Sequence, residues 1–405
     1  MKEDNCGTQN CGCGPMVTIP MENSACREPN QTCGGTADMD LNDEACCGPS
    51  NHTVSNPFEK PGYKILPYVK RFHHTDNGTY PVIYNDLKFK DKAGTVFTRF
   101  GYNRSHYKVS PGLYCSGAPD ENSDVFVSAN YKISFDHLRR SLKGLDAWIL
   151  VIDTMGVNVW CAAGKKTFST GEISTRIKNV GLDKIVKHRK IVVPQLGAPG
   201  VSAREVKKNT GFKVVWGPVY TKDIPKFVEN KLKTDNDMRK VTFSMAERTV
   251  LVPVEVMLVM KISLIIILAL FVISGFGPGI FGIDRMVDRG SLISLFFLSG
   301  IFAGAVVTPV FLPFLPGKPF ALKGIFAALI STAPLVYFYH GKIAITGLIA
   351  MLLVAFAISS YLAMNFTGAT PYTSPSGVEK EMRKAIPVQL TSVIIALFLW
   401  VFAAF

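Results

Sequence analysis

The sequence predicts an α/β Rossmann-like domain followed by an all-α membrane domain of five transmembrane helices. Three observations carry this prediction. Apolar residues are concentrated in the last third of the 405-residue chain. Between about residues 125 and 235, short apolar runs alternate with helical stretches. The first 60 residues hold seven of the nine cysteines among Gly, Pro, Asn, Thr and Ser, with few large apolar side chains. The implied division is a flexible cysteine-rich tail at 1–60, the α/β domain at 61–235, a linker at 236–256 and the membrane domain at 257–405.

The tail composition cannot bury a core, which predicts flexibility. Its cysteines are Cys6, Cys11, Cys13, Cys26, Cys33, Cys46 and Cys47. The first residues lack an apolar signal-peptide core, so the large N-terminal part is expected in the cytoplasm, where clustered cysteines bind soft metals more often than they form disulfides. The spacings "CGC" and "ACC" match neither a ferredoxin run nor a zinc ribbon. A defined cluster, capture of a thiophilic ion and no specific role all stay open.

In the α/β domain, "VFVSA" (125–129), "AWILVID" (147–153), "RKIVVPQ" (189–195) and "FKVVWG" (212–217) read as strands. Helices are expected in "SFDHLRRSLKG", from an N-cap at Ser134 to a stop at Gly144, in "SAREVKKNTG" from Ser202, and in "DIPKFVENKL" from Asp223. This alternation predicts a mostly parallel sheet with helices on both faces. Ligands of such sheets bind beyond the carboxyl ends of the strands. The residues just after "AWILVID", "RKIVVPQ" and "FKVVWG" are therefore the candidate site.

After "AWILVID" comes "TMGVNVWCAAGKKTFST". If Asn158 caps a helix, Cys161 falls at its third position, where free backbone N–H groups and the helix dipole favour a thiolate. Cys161 is then a metal ligand, a redox thiol or a nucleophile. It reads equally as a small buried hydrophobe beside Trp160, Ala162 and Ala163. A nucleophile needs a base, and the placement of His137 and His188 selects neither. "GKKT" is no phosphate loop, because Val159 stands where the first glycine is required. After "RKIVVPQ", Gly197 and Gly200 permit close backbone approach to a flat or phosphate-bearing ligand, or simply mark a turn.

Five apolar runs, 257–276, 292–315, 320–339, 343–364 and 387–405, are long enough to cross a hydrocarbon core about 30 Å thick. With the N-terminal part inside, the inner loops carry Lys318, Lys323, Lys380, Arg383 and Lys384, and the outer ones Arg285, Arg289 and Lys342, a modest positive-inside bias. Of the formal charge of +13, about +9 belongs to residues 1–261, which suits anionic lipid headgroups or an acidic protein partner. No basic run is interleaved with aromatics, so nucleic acid is not an expected partner. A membrane transporter is the rival class. No cysteine lies beyond Cys161 and the only histidine in 257–405 is His340, which favours an anchor or docking platform.

The stretches "PGLYCSGAP", "SANYKISFDHLR", "AWILVIDTMGVNVWCAAGKKTFST", "HRKIVVPQLGAPGVSAREV" and "GFKVVWGPVYTKDIPKFV", followed by five membrane helices, resemble the corrinoid proteins of bacterial and archaeal mercury methylation, the HgcA family. Residues from about 95 to 235 also resemble the corrinoid-binding domain of the corrinoid iron-sulfur protein of the acetyl-CoA pathway. The resemblance implies a multi-pass protein of the cytoplasmic membrane, its corrinoid domain in the cytoplasm. It implies a cap helix on which the Cys161 thiolate ligates cobalt beneath a corrinoid, favouring methylcobalt(III) and release of the methyl group, as a carbanion equivalent or a radical, to mercury(II). Asn158, Val159, Trp160, Cys161, Ala162, Ala163, Gly164, Lys165 and Thr167 would then line the cofactor. The loop Gln195, Leu196, Gly197, Ala198, Gly200 and Val201 would lie against the ring or its nucleotide tail, with Asn130 and Tyr131 as a further rim. The implied partners are a ferredoxin-like [4Fe-4S] electron donor, a methyltetrahydrofolate-linked methyltransferase, mercury(II) as substrate, and membrane lipids. The cysteine-rich tail departs from the family pattern, and Cys46 and Cys47 are its candidate mercury ligands. Two alternatives stand beside this reading: a membrane-anchored methyl carrier of one-carbon metabolism, and a transporter with a cytosolic ligand-binding domain.

Overall fold

The computed structural model describes residues 65–104, 106–367, 370 and 375–405. The expected tail, with Cys46 and Cys47, lies outside them. The described chain divides into two compact units: one of 65–95 and 103–240, the other of 96–102 and 241–405.

The first unit is built on a seven-stranded mixed sheet. Its strands are β1 (Val69–Thr75), β2 (Gly78–Ile83), β3 (Gly112–Ser116), β4 (Val125–Ala129), β5 (Ala147–Ile152), β6 (Lys190–Val193) and β7 (Lys213–Trp216), in the order β1-β2-β3-β5-β4-β6-β7. The four central and right-hand strands, β5-β4-β6-β7, are mutually parallel, as their spacing predicts. The rest of the sheet corrects the mostly parallel expectation. β3 runs antiparallel to β5, and β1 and β2 form an antiparallel hairpin turning at Asp76-Asn77-Gly78. Asn77-Gly78 at the turn is the local signal for that hairpin.

Strand β5 is apolar along its whole length because both of its faces are covered. Trp148, Leu150 and Ile152 pack on the side of α3 (Val159–Gly164), α4 (Thr170–Asn179), α5 (Leu182–Ile185) and α6 (Ala203–Thr210). Ile149 and Val151 pack on the side of α2 (Lys132–Ser141) and α7 (Ile224–Glu229), against Phe135, Leu138, Ile224 and Phe227. Ser202 caps α6 as expected, its side chain accepting from Glu205 N. Ser134 does not cap α2. The helix starts two residues earlier, because Lys132 N donates to Tyr107 O and replaces a side-chain cap. Asp223 precedes α7 with helical backbone angles and caps nothing, since a 3-10 turn at Thr221–Asp223 leads straight into the helix.

Helix α1 (Phe89–Arg99) is tied to α2 by a compact ion cluster. Lys132 Nζ lies 2.8 Å from Asp91 and 2.6 Å from Asp136; Arg139 lies 2.8 Å from Asp91 and 2.7 Å from Asp136. Arg139 also donates to the Tyr84 carbonyl. Two bases and two acids satisfy one another, so the charges can be buried.

In the second unit, α8 (Met245–Thr249) leads into α9 (Val252–Ser274) and a two-stranded turn, β8 (Phe276–Gly277) and β9 (Ile280–Phe281). Then come α10 (Ile283–Phe302), a π-helical turn at Ala303–Val307, α11 (Thr308–Val310), α12 (Phe320–Tyr339), α13 (Ile345–Phe366) and α14 (Pro375–Phe402). Among the described residues, five stretches are long and apolar enough to cross a membrane: Met245–Ser274, Ile283–Val310, Phe320–Tyr339, Ile345–Phe366 and Ser376–Phe402. Helix α13 is central. A Cβ on Gly300 or Gly304 of the second span would lie 2.7 Å from Ala355 O or 2.8 Å from Ser359 O, and one on Gly324 of α12 would lie 2.6 Å from Ser359 O. Small residues four apart let backbones touch where lipid supplies no hydrophobic drive.

The stretch read as a linker differs from that expectation over 241–251. Ser244 and Glu247 form a capping box that starts α8. The buried Arg248 donates to the carbonyls of Pro309 (2.9 Å) and Val310 (3.1 Å), closing the end of the second span. No periodicity signals so distant a partner.

Burial alone would raise the Asp91 carboxyl, but hydrogen bonds and charge from Lys132 and Arg139 hold it below the usual 3.8. A depressed folded-state pKa stabilises above the ordinary carboxylate range, and that stability is lost as pH falls through it. Asp91→Asn is therefore expected to lower stability at neutral pH by about 3 kcal/mol and to flatten the acid limb of thermal stability below about pH 4. Melting curves of the variant with an unaltered acid limb would contradict the assignment.

Candidate functional site

The carboxyl ends of β4 and β6 form the switch point of the parallel sheet. The chain leaves β4 through α2 on one face and leaves β6 through α6 on the other, which opens a crevice between them. A cavity of about 480 Å³ occupies this place, lined by Phe126, Ser128, Ser134, His137, Val192 and Pro194 together with Asn158, Val159 and Trp160 of the helix after β5. Leu196 and the 217–222 stretch after β7 complete it.

What positions α3 is the loop of residues 153–157, and what shapes that loop is Asn130. The Asn130 side chain is buried at the end of β4. Its Oδ1 accepts from Thr154 N (3.0 Å), Thr154 Oγ1 (2.9 Å) and Gly156 N (3.0 Å), while its Nδ2 donates to Asp153 Oδ1 (2.9 Å). Thr154 Oγ1 shares its one proton between Asn130 Oδ1 and Val157 O (2.7 Å), and Asp153 Oδ1 accepts from Met155 N (2.9 Å). Asn130, expected as a cofactor rim, is buried, and both its side-chain polar atoms bond the loop. Met155 is held at φ 57° with its side chain exposed. A bulky residue adopts that conformation only when its surroundings over-determine it.

Asn158 caps α3, its Oδ1 accepting from Cys161 N at 2.9 Å. At the other end, Thr167 N donates to Ala162 O (2.9 Å) and Lys166 N to Ala163 O (3.2 Å), a Schellman closure with Lys166 at φ 62°. The six-residue helix is therefore fixed at both ends. Ala162 and Ala163 are buried against the sheet, Trp160 is 37% exposed, and Cys161 is exposed. The buried-hydrophobe reading of Cys161 fails. It applies instead to Cys115, whose thiol is raised by burial in β3.

The "LGAPG" stretch is a 3-10 turn, Gln195–Gly200, packed on α3. A Cβ on Gly200 would sit 2.1 Å from Phe168 O and 3.1 Å from Ala163 Cα; one on Gly197 would sit 2.5 Å from the Phe168 ring. These glycines admit the chain's own helix and ring within a turn, one of the two readings their sequence left open. Gly197 and Val201 are buried, whereas Gln195, Leu196, Ala198 and Gly200 are half-buried. Of the expected cofactor residues, Asn158, Val159, Trp160 and Leu196 line the cavity. Gly164 and Lys165 are exposed beyond Cys161, Thr167 is half-buried at the helix end, and Tyr131 starts α2 away from the cavity lining. Sequence reasoning missed Ser134 and His137 as cavity residues. They stand three apart on one face of α2, a spacing that could have paired them.

Residues 96–228 match a protein family described as "CdhD: CO dehydrogenase/acetyl-CoA synthase delta subunit". The acetyl-CoA decarbonylase/synthase complex subunit gamma of Methanopyrus kandleri is 32% identical over 130 residues, covering 32% of this chain and 28% of that protein. The corrinoid/iron-sulfur protein large subunit of Moorella thermoacetica is 30% identical over 127 residues, covering 31% of this chain and 28% of that protein. The chain spans less than a third of the length of these curated relatives, and the family match ends before the membrane spans.

Asn130→Ala leaves the buried N–H groups of Thr154 and Gly156 without an acceptor, which is expected to cost about 3 kcal/mol. Hydrogen exchange should accelerate at 153–161 while β4 and β5 stay protected. Unchanged protection at Thr154 and Gly156 would show that another group shapes the loop.

Proposed function

We propose that the α/β unit binds a corrinoid and passes a methyl group to inorganic mercury(II), yielding methylmercury. The observation that carries this reading is the exposed Cys161 thiol on a helix fixed at both ends, beside an apolar cavity at the switch point. A fit to the cofactor rests on the donor set. Among the described residues no group of three or more His, Cys, Asp or Glu could hold a bare metal ion. A single exposed thiol suits a metal that arrives already held by its macrocycle. Gln195 Oε1 is buried without a hydrogen-bond partner among the described residues, and the amide groups around a corrin ring are donors for it.

When bound, the corrinoid supplies a cobalt centre able to hold and release a methyl group. Cys161 would hold the cobalt through its thiolate, with Asn158 holding the sulfur-bearing turn in place through the helix cap. Trp160 and Val159 would shield the ring edge and exclude water. The buried Ala162 and Ala163 keep α3 against the sheet, so the sulfur is presented without a change of backbone. A thiolate is a strong electron donor, which favours release of the methyl group to a soft electrophile. A ferredoxin-like [4Fe-4S] protein would return electrons, and a methyltetrahydrofolate-linked methyltransferase would supply methyl groups. The five spans would hold the protein in the cytoplasmic membrane with the α/β unit on the cytoplasmic side.

A second reading, a membrane-anchored methyl carrier of one-carbon metabolism, draws on the relatives, two of whose names are those of an acetyl-CoA decarbonylase/synthase subunit and a corrinoid/iron-sulfur protein. The two readings part on the acceptor. Reduced, methyl-loaded protein incubated with mercury(II) is expected to release methylmercury, and Cys161→Ala to lose nearly all of that yield together with the sulfur-dependent part of the cobalt spectrum. Full yield from Cys161→Ala, or a spectrum it leaves unchanged, would sink the ligand role. Transfer to a protein acceptor alone would favour the carrier.

A further inference from the structure

Exposed aromatic side chains cluster where the first membrane span begins. Residues 96–102, the end of α1 and the turn after it, belong to the same compact unit as the five spans. Val96, Arg99 and Phe100 share an apolar recess with Met245, Val250 and Pro253, and a Cβ on Gly101 would come within 3.9 Å of Met257 Cβ. The first span runs from Met245 to Ser274, so this segment stands beside its N-terminal end.

The segment leaves much of its apolar surface uncovered. Val96 is 52% exposed, Phe97 58%, Phe100 48% and Tyr102 73%. Phe97 and Tyr102 meet edge to face at 6.2 Å, presenting one aromatic patch. Arg99 lies within the patch, and Arg104, exposed, follows it by two residues. Two apolar rings and one tyrosine hydroxyl, flanked by arginines and placed at the end of a membrane span, match the chemistry of the headgroup layer, which is apolar below and anionic above. Continuity with the span argues for lipid over a protein partner, because the patch and the span's first turns form one surface.

We propose that residues 96–104 are an interfacial membrane anchor, with Phe97, Phe100 and Tyr102 seated at the headgroup level of an anionic phospholipid bilayer and Arg99 and Arg104 against the phosphates. The anchor is independent of the corrinoid reading. It adds a contact lying in the plane of the membrane to the five that cross it.

The test uses the full chain in vesicles of phosphatidylglycerol and phosphatidylethanolamine, with Tyr102→Trp and, separately, Phe97→Trp. Their fluorescence is read as the difference from the parent protein, which already contains Trp148, Trp160, Trp216 and Trp400. Lipids brominated near the glycerol are expected to quench the added tryptophan roughly twofold more than lipids brominated at the chain end, as an anchor about 5–10 Å deep requires. Aqueous iodide should quench it weakly, and Arg104→Glu should reduce the shallow quenching. Strong iodide quenching with no lipid quenching would place the patch in water. Insensitivity to both quenchers would place it under protein, and quenching greatest at the chain end would place it in the hydrocarbon. Any of these three outcomes overturns the proposal.

Discussion

One buried amide sets the shape of the candidate site. Asn130 ends β4 with its oxygen aimed at three donors of the neighbouring loop and its nitrogen at Asp153. An amide is the right group because it donates and accepts at once. A carboxylate there would face Asp153 with like charge, and an apolar residue would strand the donors. From this point the geometry propagates along the chain. The loop fixes the position of Asn158, Asn158 fixes the first turn of α3, and that turn holds Cys161 at the surface.

The second constraint is the absence of side chains where backbones must meet. Gly200 and Gly197 let the 195–200 turn lie on Ala163 and Phe168, so α3 is clamped from the side opposite its cap. The same device recurs in the membrane unit, where Gly300 and Gly304 meet Ala355 and Ser359. The forces differ. In the α/β unit close approach excludes water from an apolar core, whereas between spans it gains dispersion contacts that lipid tails would otherwise make.

Several polar groups buried in the spans are matched in pairs. Trp400 Nε1 donates to Ser274 Oγ at 2.9 Å, and Ser359 Oγ donates to Gly324 O at 2.7 Å. Arg248 performs the same service at a helix end, meeting carbonyls that have no partner within their own helix. These pairings join residues more than a hundred positions apart in one case and about sixty in another, which is why composition marks the spans as apolar and leaves their mutual arrangement unspecified.

The sequence by itself determined the two-part architecture, the strand and helix alternation from 125 onward, the Asn158 cap with Cys161 three residues on, and the five spans. Each of these is written in local periodicity or in contacts between residues three or four apart. Only the tertiary structure decided that β3 runs against β5, that Ser134 and His137 line the cavity, and that the Asn130 side chain supports the loop after β5. It alone revealed that Gly197 and Gly200 make room for Phe168 and Ala163, and that 241–251 is packed into the membrane unit. In each of these cases the partner comes from a distant segment, and a glycine or an asparagine looks the same in sequence whether its neighbour is a ligand or the protein's own backbone.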